Sequence, residues 1–213
     1  MCLLYRLDAP SADIARLFAA HPGADPWAGD YVAPGKFAPV VVQGKPKQGG
    51  SGGGYGTRFI VPRLWGVPPP PKVAAEGGKP VYNVRNLDSP FWVGTLRHPE
   101  LRCLVPVTSF MEWGGMGPAA PEQKPRRQQH WFSLPSEPVF AFAGIWRDHD
   151  VPSFAFLTCH PNPLVGAVHG KSMPVILHSY DWDRWLTADW KDARALVEPF
   201  PSQMMMEVPM PPR

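Results

Sequence analysis

No stretch of this chain approaches the roughly 20 consecutive apolar residues that a membrane-crossing helix needs. Charged residues are scarce, at 18%, and hydrophobic ones reach 44%, which excludes a disordered polyelectrolyte. Cysteine is limited to Cys2, Cys103 and Cys159, with no Cys-x-x-Cys pair. An odd, widely spaced set argues against a zinc finger or a disulfide framework, so no metal or cofactor is expected. No internal repeat is visible, and no regular β-α-β alternation suggests a Rossmann-like sheet. The first residues lack a basic n-region, and Arg6 and Asp8 interrupt any apolar h-region. The expectation is a reduced, cytoplasmic, monomeric protein with free thiols and no membrane partner.

Aromatic residues, proline and glycine are abundant instead. Nine Trp and eleven Phe suit a packed core or a stacking surface. Proline (29) and glycine (20) make up about 23% of the 213 residues, which points to a loop-rich, strand-biased fold. Net charge is only +3, but it is unevenly spread. Residues 41–110 carry nine Lys or Arg against three acids, and the segment from His178 onward carries six acids against four bases. A basic middle hints at a phosphate-facing surface.

Residues 2–7 read as a strand, and Ser11 as the cap of a helix over 12–21. The glycine-rich segment 44–56 reads as a loop, as does 116–128. Residues 58–64 read as a strand running into four stiffening prolines at 68–71. Ser89-Pro90 starts a short helix to about residue 96. Residues 102–105, 108–113, 130–134, 139–146 and 153–159 all carry β-branched or aromatic residues between turn signals. Two short helices follow at 181–186 and 190–197. The sum is one α+β domain over 1–198, with a bent antiparallel sheet or open β-barrel-like core and a few short helices. Residues 199–213 form a Met- and Pro-rich tail, disordered or lying in a groove.

Cys2 is the first candidate for chemistry. Loss of Met1 would give it an α-amine with a reference pKa of about 7.7–8.0 beside a thiol near 8.5. Such a 1,2-aminothiol condenses with aldehydes: the amine forms an imine and the thiolate closes a thiazolidine. A terminal amine can also activate its own side chain for hydrolysis.

Further pieces follow in order: Asn83-Val84-Arg85; Arg102-Cys103-Leu104-Val105-Pro106; Ser109-Phe110-Met111-Glu112-Trp113; Phe142-Ala143-Gly144-Ile145-Trp146; Val168-His169-Gly170-Lys171-Ser172-Met173-Pro174; and Asp183-Arg184-Trp185-Leu186. With Met1-Cys2, this ordered set resembles the SOS-response-associated peptidase family, whose members sense abasic sites in single-stranded DNA. The resemblance implies loss of Met1, by self-processing in some members, and a thiazolidine between Cys2 and the ring-opened sugar. It implies that Asn83 orients the Cys2 amine or the sugar and that Arg85 clamps a phosphate. Glu112 would shuttle protons, and His169 would supply the acid that opens the sugar ring.

Three departures from the family pattern stand out. Leu3 and Leu4 follow Cys2 where Gly-Arg is common, leaving Arg6 as a substitute. Leu87 stands where an acid is common, and His169 precedes Met173 by four positions and not three.

Single-strand binders combine a positive groove with stacking platforms. Trp65, near Arg58, Arg63 and Arg85 in sequence, is the candidate platform, and Lys171 a second backbone contact. The expected partner is single-stranded DNA containing abasic sites. Two other readings remain: an N-terminal-nucleophile cysteine peptidase or amidohydrolase acting on non-DNA substrates, and a non-covalent single-strand-binding module.

Overall fold

The computed structural model describes residues 2–24, 26–44, 57–117, 127–148 and 151–212. The glycine-rich run 49–54 and most of the 116–128 segment lie outside the described residues. The chain starts with β1 (Tyr5–Leu7), α1 (Ser11–Leu17), β2 (Ala20–His21), β3 (Asp30–Val32), β4 (Phe37–Gln43) and β5 (Arg58–Trp65). Then come α2 (Pro71–Ala75), β6 (Asn83–Val84), α3 (Pro90–Arg97), β7 (Arg102–Val107), β8 (Ser109–Met116), β9 (Arg127–Ser133), β10 (Phe140–Asp148) and β11 (Pro152–Cys159). The last part holds α4 (Pro163–Val168), β12 (Met173–Pro174), β13 (Ile176–Leu177), α5 (Trp182–Thr187), α6 (Trp190–Arg194) and β14 (Met206–Val208).

The α+β, barrel-like core is present. β4 pairs antiparallel with β5 and β7, β7 with β10, and β10 with β11. β11 then meets β5 in parallel at Ser153↔Leu64 and Phe154↔Trp65, and this short junction closes the ring. Strand direction cannot alternate all the way round a ring of five, so at least one junction must be parallel. The ring interior is aromatic. Trp65 lies 5.4 Å from Tyr5 and 5.1 Å from Phe156, and Phe142 lies 4.9 Å from Phe156 (centroid distances). Gly144 lets β10 and β7 approach closely: a Cβ there would lie 2.8 Å from both Cys103 Sγ and Val105 Cγ2. That accounts for the glycine inside the Phe142–Trp146 motif.

A second, antiparallel sheet runs in the order β14-β9-β8-β1-β3. β7 and β8 join the two sheets through Thr108. The Thr108 hydroxyl donates to the Arg6 carbonyl at 2.9 Å and accepts from the Asp8 N–H at 3.3 Å, pinning the corner.

Several local expectations shift. β1 begins at Tyr5, so residues 2–4 form a lead-in. Ser11 opens α1 but does not cap it: Pro10 occupies the cap position, and the Ser11 hydroxyl accepts from the Trp27 N–H at 2.9 Å. Helix α1 stops at Leu17, just before Ala19 turns left-handed at φ 46° and leads into β2. The helix starting at Ser89-Pro90 forms, with the Ser89 hydroxyl accepting from the Phe91 N–H.

The C-terminal segment is built into the domain. Phe200 and Met205 are buried, and β14 pairs with β9 as an edge strand. Asn162 ties this segment to α4. Its Oδ1 caps the helix at the Val165 N–H (2.9 Å), and its Nδ2 donates to the Phe200 carbonyl (2.7 Å).

Trp65 is fully buried, and its indole N–H donates to the Tyr82 carbonyl at 2.9 Å. Trp65→Ala is therefore expected to lower the free energy of unfolding by about 3–5 kcal/mol, read from a denaturant titration. A loss below 1 kcal/mol would contradict its place at the barrel centre.

Candidate functional site

Four separate elements bring the polar residues together. The lead-in before β1 stays alongside β8, where the Leu4 carbonyl accepts from the Met111 N–H at 3.0 Å. Cys2, two residues earlier, is fully buried, and its thiol reaches the Leu4 carbonyl at 3.5 Å. Asn83 sits on β6, a two-residue strand parallel to β11. Its Nδ2 donates to the Cys2 carbonyl at 3.1 Å. Its Oδ1 is buried and accepts no hydrogen bond among the described residues.

Glu112 lies mid-strand on β8 and is 1% exposed. A carboxyl group flanked by Met111 and Trp113 would face solvent on most strands; here the strand turns it inward. His169 follows α4 directly, its N–H held by the Val165 carbonyl at 2.8 Å. Its Nε2 lies 3.9 Å from Glu112 Oε2. The extra residue between His169 and Met173 is taken up in a turn at 170–171, so the imidazole still reaches the carboxyl group.

Burial sets the protonation chemistry. It pushes the Glu112 carboxyl up to about 7. It also pushes the Cys2 thiol well up, and the Glu112 charge pushes the same way. His169 is lowered, first by burial and then by positive charges that include Arg127, Lys171 and Arg85. A carboxyl group near neutrality beside a neutral imidazole can both take and give a proton at physiological pH.

Arg85 and Lys171 are exposed beside this cluster, and Arg85 donates to the Lys171 carbonyl at 2.7 Å. Arg127, which the motifs do not single out, completes a cationic rim. Its guanidinium donates to the Gly114 and Trp113 carbonyls at 3.2 and 3.3 Å. The available signal was the Lys124-Pro125-Arg126-Arg127 run inside an apparent loop.

Two sequence expectations need correction. Trp65 cannot stack on a base, because the barrel encloses it completely. Arg6 does not stand free in place of an early arginine: it pairs with Asp8 at 2.7 Å and lies 4.4 Å from the Tyr31 ring centroid. The basic middle of the chain is also partly neutralised. Arg58 pairs with Asp183, Arg63 lies 3.6 Å from Asp148, and Arg102 is buried under Trp185. Among the described residues, no group of three or more His, Cys, Asp or Glu could hold a metal ion. No described helix is long and apolar enough to cross a membrane.

Comparison with known proteins gives this arrangement a family. Abasic site processing protein YoqW, from Bacillus subtilis strain 168 and from Bacillus phage SPbeta, is 28% identical over 152 residues. That match covers 66% of this chain and 64% of each relative, a little under two thirds of their length. A solved structure from Bacteroides thetaiotaomicron superposes with a TM-score of 0.73 at 20% identity, covering 97% of this chain and 90% of that one. One from Bordetella bronchiseptica gives 0.72 at 22% identity, covering 98% and 100%. These two share the fold. The model of the SOS response associated peptidase (SRAP) family matches residues 1–212. By that match over nearly its whole length, the chain belongs to the SOS response associated peptidase family.

Proposed function

We propose that this protein captures abasic sites in single-stranded DNA as a covalent adduct through Cys2, once Met1 is lost. The observation that carries the reading is the meeting of buried Cys2, Asn83 and Glu112 with the half-buried His169 in one cluster. The name of the YoqW relatives supports the substrate, and the cationic rim of Arg85, Lys171 and Arg127 supports a polyanionic partner.

The reaction runs in three steps. His169, protonated through Glu112, gives that proton to the sugar ring oxygen while the Glu112 carboxylate takes the proton of the C1′ hydroxyl, so the bond from C1′ to the ring oxygen breaks and C1′ becomes an aldehyde. The Cys2 amine adds to that carbon, and the resulting carbinolamine loses water to give an imine, with Glu112 carrying the protons. The Cys2 sulfur then adds to the imine carbon while the nitrogen takes up a proton, which closes the thiazolidine. Asn83 anchors the Cys2 carbonyl and leaves Oδ1 free to accept from the amine or from a sugar hydroxyl. The order of addition fits the electrostatics. A thiol whose pKa is raised is a poor first nucleophile, and an amine is not held back in that way. The same point weighs against a conventional cysteine peptidase acting on other substrates.

Cys2→Ala is expected to abolish the denaturation-resistant adduct on single-stranded DNA bearing one abasic site. Cys159→Ser should retain it, because burial holds the Cys159 thiol up near 12 and it lacks a vicinal amine. Adduct at normal yield with Cys2→Ala would defeat the mechanism.

Glu112 yields a paired prediction. Its folded-state pKa near 7 lies above the ordinary 4.5, so the folded protein binds the proton more tightly than the unfolded chain. Its cost to stability is therefore absent below the unfolded value and grows as pH rises through about 7. Glu112→Gln should raise the free energy of unfolding by about 1–3 kcal/mol at pH 8 and leave it unchanged at pH 4. The same variant should slow adduct formation about a hundredfold. A variant that is both less stable at pH 8 and fully active would contradict both roles.

A further inference from the structure

A second histidine–carboxylate pair lies beside the site, and nothing in the family motifs points to it. His130 on β9 is paired across strands with Glu112. Directly opposed residues of an antiparallel pair point to the same face, with Cβ atoms about 5 Å apart. His130 therefore shares the face of β8 that carries the buried carboxyl group. Its Nδ1 is 2.7 Å from Oε1 of Glu207, on β14. Glu207 is the partner that fixes the ring, with Nδ1–H donating to the carboxylate.

The opposite nitrogen is equally constrained. A Cβ built on Gly114 would lie 2.5 Å from His130 Nε2 and 3.5 Å from Val168 Cγ1. Only glycine leaves room for the imidazole at that point. The His130 ring and the side chain of Val168, the residue before His169, thus both lie over Gly114 on β8. Glu112 has His169 near its carboxyl group and His130 opposite it in the sheet. The C-terminal segment also grips α4 at its other end, through the Asn162–Phe200 bond.

We propose that His130 and Glu207 form a positioning dyad for the reaction at Cys2. Glu207, carried by the C-terminal strand, locks the His130 ring, and the ring holds the end of α4 so that His169 faces Glu112. The C-terminal strand is then a working part of the site. The proposal rests on the abasic-site reading only for its kinetic arm.

The test has two arms. In the free protein, the His169 imidazole nitrogen signals are followed by NMR in Glu207→Leu, Glu207→Gln and Met206→Ser variants. Glu207→Leu should shift them. Glu207→Gln keeps an oxygen that accepts from Nδ1–H and should shift them much less. Met206→Ser perturbs the same strand at an exposed position and should leave them alone. In the second arm, adduct formation on abasic single-stranded DNA is timed beside affinity for an undamaged strand. His130→Phe and Glu207→Leu should each slow the covalent step about tenfold, the scale of a small misplacement, with unchanged affinity. The double variant should be no slower than either single one, since both act through one bond.

Unmoved His169 signals in Glu207→Leu would overturn the dyad. So would a hundredfold loss in the double variant, or an equal response to Met206→Ser. Wild-type protein that forms no adduct would instead overturn the abasic-site reading, and the NMR arm alone would then decide the dyad.

Discussion

The burial of one carboxyl group governs this site. Glu112 is placed mid-strand, 1% exposed, near the Cys2 thiol and the His169 imidazole. Ionising a group there is costly, which is why its pKa rises to about 7. The property that weakens the fold above neutral pH is the property that lets the group exchange protons at neutral pH. Proteins keep such a group when the surrounding structure is strong enough to hold it.

That strength comes from the closed ring and from chain segments far apart in sequence. The parallel β5–β11 junction encloses Trp65, Tyr5 and Phe156 in one aromatic core. The same core fixes β6, which runs parallel to β11 and delivers Asn83 to the Cys2 carbonyl. Residues 2, 83, 112 and 169 arrive on a lead-in, a two-residue strand, a mid-sheet position and a helix end. None of these short pieces would hold its place alone. Asn162 and β14 close the arrangement from the C-terminal side, where the Met- and Pro-rich segment becomes an edge strand and a helix clamp.

Much of this was legible in the sequence. Alternating and β-branched runs located the long strands, and Ser89-Pro90 located the start of α3. The ordered motifs, through their resemblance to the family, pointed to Asn83, Glu112 and His169, while Cys2 stood out by its place after Met1. Other features depend on tertiary context. Trp65 was an attractive stacking residue by its basic neighbours in sequence, yet its strand is the one that closes the ring, and its side chain points inside. Arg58 and Arg63 counted toward a phosphate-facing surface until the fold set acids against them. Arg127 and His130 carry no motif. Their place follows from the β8–β9 register, which no local pattern specifies. The C-terminal segment lacked strand-like alternation because its pairing is an edge contact with β9, and an edge strand needs less of that signal.

The central claim is that Cys2 offers its own amine and thiol to one aldehyde carbon, and intact mass measurement tests it most directly. Wild-type protein incubated with a single-stranded oligonucleotide carrying one abasic site should give a single product. Its mass should equal protein lacking Met1 plus oligonucleotide, less one water, and fragmentation should place the link at Cys2. A product that retains Met1, a link at any other residue, or no product beyond the two separate masses would contradict the account.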